Sequence, residues 1–339
     1  MTTERNGTIL EKTPLKNPSA DLLLYMLTYI SDGLKVKGYL VVPKAGAPYP
    51  ALIYCRGGIR KVGMVRKRRI MSMARRGFVV FAPFYRGNEG GEGREDFAGD
   101  DRSDVCHAIT AVQSLPEVKP GPVPLIGFSR GALMALAAAR ECDQAGPVVV
   151  WGGVSDLFDT YEERVDMRRM LKRVVGHPRK QTEQYVRRSP VYWADEINVP
   201  ILIVHGTSDA QVNAGHARKL ADALEKAGKE YAMELYGGLP HRFPKEEDER
   251  ALDAVFAWIT GKLQDAGGSK AADAVSAASA SNAASVPNTA IAVSVSNAAS
   301  VPNTASAPNA ANVPNVPKTA NVEAVALKSA ASQEAGSVR

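Results

Sequence analysis

Between residues 20 and 264 short apolar runs alternate with longer segments of helical periodicity. The runs at 51–55, 78–82, 123–126, 148–151, 201–205 and 231–235 are nearly free of polar residues. Strands of that kind are covered on both faces, as in a parallel sheet. Helical periodicity falls between them, near 64–76, 101–115, 131–142, 214–227 and 247–263. Ahead of these, 22–31 and 34–42 flank Asp32-Gly33, a two-residue turn that favours an antiparallel hairpin. The pattern predicts an α/β fold: a mostly parallel, doubly wound sheet with an antiparallel N-terminal hairpin at its edge. Residues 155–193 break the alternation. They read as a small, charged helical insertion placed to overhang a site on the sheet.

Composition changes near residue 265. Beyond it the chain is almost wholly Ala, Ser, Asn, Val, Pro and Thr, and SNAASVPNTA at 281–290 recurs at 296–305. Large apolar side chains are too few to offset the entropy of ordering, and repeated Pro interrupts any helix the alanines start. The expected division is an N-terminal extension (1–20), an α/β domain (21–264) that includes the 155–193 insertion, and a disordered tail (265–339).

The net charge of +6 belongs entirely to the first 264 residues, because the tail carries four basic and four acidic groups. Its densest run, Arg66 to Arg69 with Arg75 and Arg76, reads as a solvated helix face. No nucleic-acid-binding motif accompanies it, so no nucleic-acid partner is expected. Cys55, Cys106 and Cys142 lack metal or redox spacing and read as reduced thiols. The first 19 residues have no apolar signal core, and no apolar window is long enough to span a membrane. A cytoplasmic protein without a membrane partner is expected; oligomeric state is open.

The chemistry gathers around Gly127-Phe128-Ser129-Arg130-Gly131. In G-x-S-x-G the serine sits on a sharp strand-to-helix turn whose flanking positions must lack bulk. Here an apolar strand precedes it and an Ala/Leu-rich helix follows. A serine hydroxyl needs a base, and in this arrangement acid and histidine follow the serine in that order. Asp209 comes directly after the 201–205 run, at the strand end where Ser129 also lies. Of five histidines, only His241 follows the acid in a loop between the last strand and the last helix. The reading is Ser129 as nucleophile, His241 as base and Asp209 as its orienting acid. The N–H of Arg130 supplies one oxyanion donor, and the Arg56-Gly57-Gly58 loop the other, at Gly58 with Gly57 as the alternative. The Arg130 side chain is a candidate for a substrate carboxylate. No metal and no cofactor are called for.

Several segments together resemble the catalytic domain of the prolyl oligopeptidase family of serine peptidases, a branch of the α/β-hydrolases. Tyr85-Arg86-Gly87-Asn88-Glu89-Gly90 is similar to that family's Tyr-Arg-Gly-Ser-x-Gly segment. His205-Gly206-x-x-Asp209-x-x-Val212 is similar to its acid segment, and Gly238-x-x-His241-x-Phe243 to its histidine loop. The likeness spans roughly residues 35 to 264 and implies hydrolysis of a peptide or small ester. Two departures stand out. About 50 residues precede the first core strand, so the family's β-propeller is not expected, and Ser-Arg-Gly-Ala replaces an elbow that commonly carries an aromatic and two glycines. Carboxylesterase or dienelactone-hydrolase-like action is therefore the alternative to peptidase action, and a non-catalytic binding module is a third reading.

Overall fold

A computed structural model describes residues 5–282, except 18 and 47; within the last helix, side chains are described up to residue 266. The strands are β1 (Ile9–Pro14), β2 (Leu22–Ser31), β3 (Leu34–Pro43), β4 (Ala51–Cys55), β5 (Val79–Pro83), β6 (Val123–Phe128), β7 (Ala145–Trp151), β8 (Ile201–Gly206) and β9 (Tyr231–Tyr236). They form one sheet in the order β1-β2-β3-β5-β4-β6-β7-β8-β9. Pairing is antiparallel from β1 through β3 to β5 and parallel from β5 to β9.

Every residue of β4, β5, β7 and β8 is buried, as their unbroken apolarity requires of strands covered on both faces. The helices are α1 (Lys67–Ala74), α2 (Ser103–Gln113), α3 (Gly131–Glu141), α4 (Leu157–Glu163), α5 (Arg168–Val174), α6 (Thr182–Arg187), α7 (Gly215–Lys226) and α8 (Lys245–Asn282). Two apolar clusters line the faces of the sheet. One packs α2, α3, α7 and the insertion; the other packs α1 and α8.

Four differences from the sequence reading have physical causes. The expected N-terminal extension contains β1, which pairs with β2 and continues the hairpin outward. Its sequence, ILEKTP, is half-buried and gives little apolar signal. At the other end α8 runs past residue 264 to Asn282 through an Ala-rich stretch, where Ala is the strongest helix former. The rest of the expected tail, 283–339, lies outside the described residues. The basic run is only partly a solvated face. Arg69 and Arg76 of α1 and its C-terminal turn pair with Asp248, Glu249 and Asp253 of α8, and Arg75 pairs with Asp21.

The thiol expectation also changes. Cys106 and Cys142 form a disulfide, 36 residues apart in sequence but with Cα atoms 5.8 Å apart, because α2 and α3 pack side by side. Cys55 is free and buried, and burial pushes its thiol up to about 12. Disulfides persist in oxidising compartments, so the cysteines no longer support a cytoplasmic location. Among the described residues no helix is long and apolar enough to cross a membrane.

Candidate active site

Strands β4, β6, β8 and β9 run parallel, so the loops after their carboxyl ends share one edge of the sheet. Those loops carry Gly57 and Gly58, Ser129, Asp209 and His241 respectively.

Ser129 has φ +57°, a left-handed conformation that a non-glycine residue adopts only where its surroundings enforce it. Two contacts do so. A Cβ on Gly127 would lie 2.5 Å from the Gly131 carbonyl oxygen, and one on Gly131 would lie 2.0 Å from the Cys55 carbonyl oxygen. The elbow therefore tolerates only glycine at both positions. The Ser129 N–H donates to the Trp151 carbonyl at 3.0 Å, tying the turn to the neighbouring strand. The Ser129 side chain is half-buried, and its hydroxyl forms no hydrogen bond among the described residues.

Asp209 is held from several sides. Its Oδ2 lies 2.6 Å from His241 Nδ1 and 3.3 Å from His205 Nε2. Its Oδ1 accepts the backbone N–H groups of Gln211 at 2.8 Å and Val212 at 2.9 Å. Burial pushes the carboxyl up, but the donors of His205, His241 and Val212 outweigh it and hold it well below the ordinary carboxylate range. His205 Nε2 also lies 2.9 Å from the Val212 carbonyl, which only accepts, so the network assigns the proton to that nitrogen. The His241 ring packs on Phe128, the residue before Ser129, with centroids 4.8 Å apart.

The two loops are locked together. Ser208 N–H donates to the Leu239 carbonyl at 3.0 Å, and Gly238 N–H donates to Thr207 Oγ1 at 2.8 Å. A Cβ on Gly206 would lie 2.2 Å from the Leu239 oxygen. Gly152 closes the other side. It has φ +51°, and a Cβ there would meet His241 Nδ1 at 3.2 Å and Asp209 Oδ2 at 3.4 Å. The insertion reaches the same region: Arg164 Nη1 donates to the Gln211 carbonyl at 3.0 Å, and Glu163 lies 3.4 Å from His216.

The loop after β4 packs directly against Ser129. A Cβ on Gly57 would lie 2.8 Å from Ser129 Cβ. The Gly57 carbonyl turns inward to accept Arg56 Nη1 at 3.0 Å. In a trans peptide the next N–H points the opposite way, so the Gly58 N–H faces away from Arg56. Neither it nor the Arg130 N–H is engaged by another group among the described residues. The Arg130 side chain corrects one expectation. It is buried and paired with Glu95 and Asp101, so it does not reach toward a substrate carboxylate.

Sequence reasoning missed His205, Gly152, Arg56 and Glu95. The histidine four residues ahead of the acid, within His-Gly-x-x-Asp, was the one signal available for the first of them. Glu95 lies in a segment (87–99) with no periodic pattern.

Serine, acid and histidine at these three strand ends, in this chain order and on this sheet, define an α/β-hydrolase of the serine type. The family model of the prolyl oligopeptidase family matches residues 64–266. The peptidase YtmA of Bacillus subtilis (strain 168), described as uncharacterized, is 44% identical over 256 residues, covering 75% of this chain and 100% of its own. The chain therefore belongs to the prolyl oligopeptidase family. Solved structures share the fold at lower identity. An acylaminoacyl peptidase of Pyrococcus horikoshii matches with TM-score 0.64 and 19% identity, covering 73% of this chain and 42% of that one. Acetyl xylan esterase 1 of Thermoanaerobacterium sp. JW/SL YS485 matches with TM-score 0.57 and 17% identity, covering 73% and 87%.

Proposed function

We propose that this serine hydrolase cleaves an amide bond of a short peptide through an acyl-Ser129 intermediate. Ser129 Oγ attacks the carbonyl carbon while its proton passes to His241 Nε2. The oxyanion of the tetrahedral intermediate is held by the N–H groups of Arg130 and Gly58. Collapse breaks the scissile bond, and the leaving amine takes the proton from His241. Water then attacks the acyl group and gives a proton to His241, which returns it to Ser129 Oγ as the acid is released. Asp209 stays ionised, fixes the imidazole tautomer and stabilises the imidazolium. The observation that carries the hydrolytic mechanism is the 2.6 Å contact between His241 Nδ1 and Asp209 Oδ2, and membership of the prolyl oligopeptidase family supports a peptide substrate.

Ester hydrolysis is the second reading. It is supported by the fold shared with acetyl xylan esterase 1, which matches with TM-score 0.57 over 73% of this chain. Turnover of dipeptidyl and aminoacyl anilides against short acyl esters separates the two. Anilide cleavage that disappears in Ser129→Ala supports the peptidase; cleavage of esters alone supports the esterase.

A further inference from the structure

Behind the two oxyanion donors lies a buried ionic cluster that the proposed mechanism does not use. Arg56 directly precedes the glycine pair, and Arg130 directly follows the nucleophile. Both guanidiniums are buried, each about 1% exposed. Both sit over the ring of Tyr85, at 5.1 Å and 4.9 Å from its centroid. Two like charges so placed, away from water, repel strongly unless an opposite charge lies between them.

Glu95 supplies that charge. Its Oε2 lies 2.8 Å from Arg130 Nη2 and 3.2 Å from Arg56 Nη2, and its Oε1 accepts the backbone N–H of Arg60. One carboxylate thus binds the residue before the glycine pair, a residue two places after it, and the residue after the serine. Arg56 passes the constraint on, donating to the carbonyls of Gly57 at 3.0 Å, Val62 at 3.3 Å and Phe84 at 2.9 Å. The Gly57 contact sets the plane of the Gly57–Gly58 peptide and hence the direction of the Gly58 N–H. Asp101, 3.4 Å from Arg130, is the other acid paired with the cluster. The segment bearing Glu95 is itself strained, with Tyr85, Phe97 and Ala98 at φ +65°, +66° and +64°.

We propose that Glu95 is a positioning residue for the oxyanion pocket, fixing the Gly58 and Arg130 amides relative to each other through Arg56 and Arg130. It touches neither substrate nor reacting atoms. This inference rests on the acyl-Ser129 reading, since it needs an oxyanion at that place.

The test is Glu95→Gln in the full chain, with active sites counted by a fluorophosphonate probe and rates expressed per labelled site. The expected result is kcat per site about 100-fold lower, the cost of a small misplacement of catalytic groups, with KM within about twofold. The inhibition constant of a trifluoromethyl ketone, which forms an oxyanion on the serine, should rise in parallel. A merely structural role lowers the number of labelled sites and leaves kcat per site and that constant unchanged, which overturns the proposal. If Glu95→Gln does not fold, Arg56→Lys keeps the charge beside Glu95 and removes the guanidinium fork. It must show the same kcat loss at constant KM, and wild-type kcat there overturns the proposal equally. Wild-type protein that does not label at Ser129 overturns the acyl-enzyme reading itself, an outcome distinct from a labelled enzyme indifferent to Glu95.

Discussion

His241 Nδ1 lies 2.6 Å from Asp209 Oδ2, although the two residues are 32 positions apart and stand on loops after different strands. Strands β8 and β9 are parallel neighbours in the sheet, so their carboxyl ends coincide. The backbone bonds between Ser208 and Leu239 and between Thr207 and Tyr236 then bring the loops into register. Asp209 is held by two further backbone donors and by His205, so the imidazole meets a carboxylate that is already oriented.

Replacing Asp209 by Asn removes the charge and lets the amide donate to His241, which favours the wrong tautomer. We expect kcat/KM on the best ester or anilide to fall by about 10⁴-fold with little change in fold, the scale known for this substitution in serine hydrolases. Steady-state kinetics alongside circular dichroism checks both halves. Activity within tenfold of wild type would show that Asp209 is not the acid.

Gly152 predicts a more local defect. Alanine there meets His241 Nδ1 and Asp209 Oδ2 at 3.2 and 3.4 Å and occupies a left-handed conformation. Gly152→Ala should reduce kcat by about 10²-fold through displacement of the pair. Thermal denaturation is expected to show a loss of about 1–3 kcal/mol from the strained backbone.

Asp101 gives a pH dependence of stability. Burial is the main cause that raises its carboxyl from 3.8 to about 8, with Asp96 and Asp104 adding to it against Arg130. The folded protein therefore keeps a proton that the unfolded chain loses, and stability falls as pH rises from about 4 to about 8. Asp101→Asn should flatten that slope in urea midpoints measured across the window. Asp104, also raised by burial, leaves part of it in place.

The Cys106–Cys142 disulfide ties α2 to the end of α3, the helix that opens two residues after Ser129. Cys106→Ser should lower the unfolding free energy by about 2–4 kcal/mol, measured by denaturant titration without reductant. Alkylation of unreduced, denatured wild type should modify Cys55 alone.

Much of the fold was legible in the sequence because parallel strands buried on both faces leave apolar runs that nothing else interrupts. Each of the six runs became a strand, and the Asp32-Gly33 turn connects β2 to β3 as its residue types required. Strand β1 was not legible, since its edge position lets Glu11 and Lys12 stand where a central strand carries apolar residues. The continuation of α8 was obscured by low-complexity composition, which says little about where an alanine-rich helix stops. At the candidate site, local motifs and chain order singled out Ser129, Asp209 and His241, and the structure brings Asp209 and His241 into contact. Gly152 and Glu95 act through contacts with residues distant in sequence, and no periodicity records such contacts. The Arg130 side chain could not be placed from sequence either, because its direction depends on Glu95 and Asp101 beneath the turn.

The central claim is that Ser129 attacks a carbonyl as an activated nucleophile. Intact-mass and peptide-mapping analysis after treatment with a fluorophosphonate tests it most directly. We predict one adduct per chain, located on the peptide bearing Ser129, lost in Ser129→Ala and slowed strongly in His241→Gln. Wild type that takes up no more probe than Ser129→Ala, or that carries the adduct on another residue, would contradict the account.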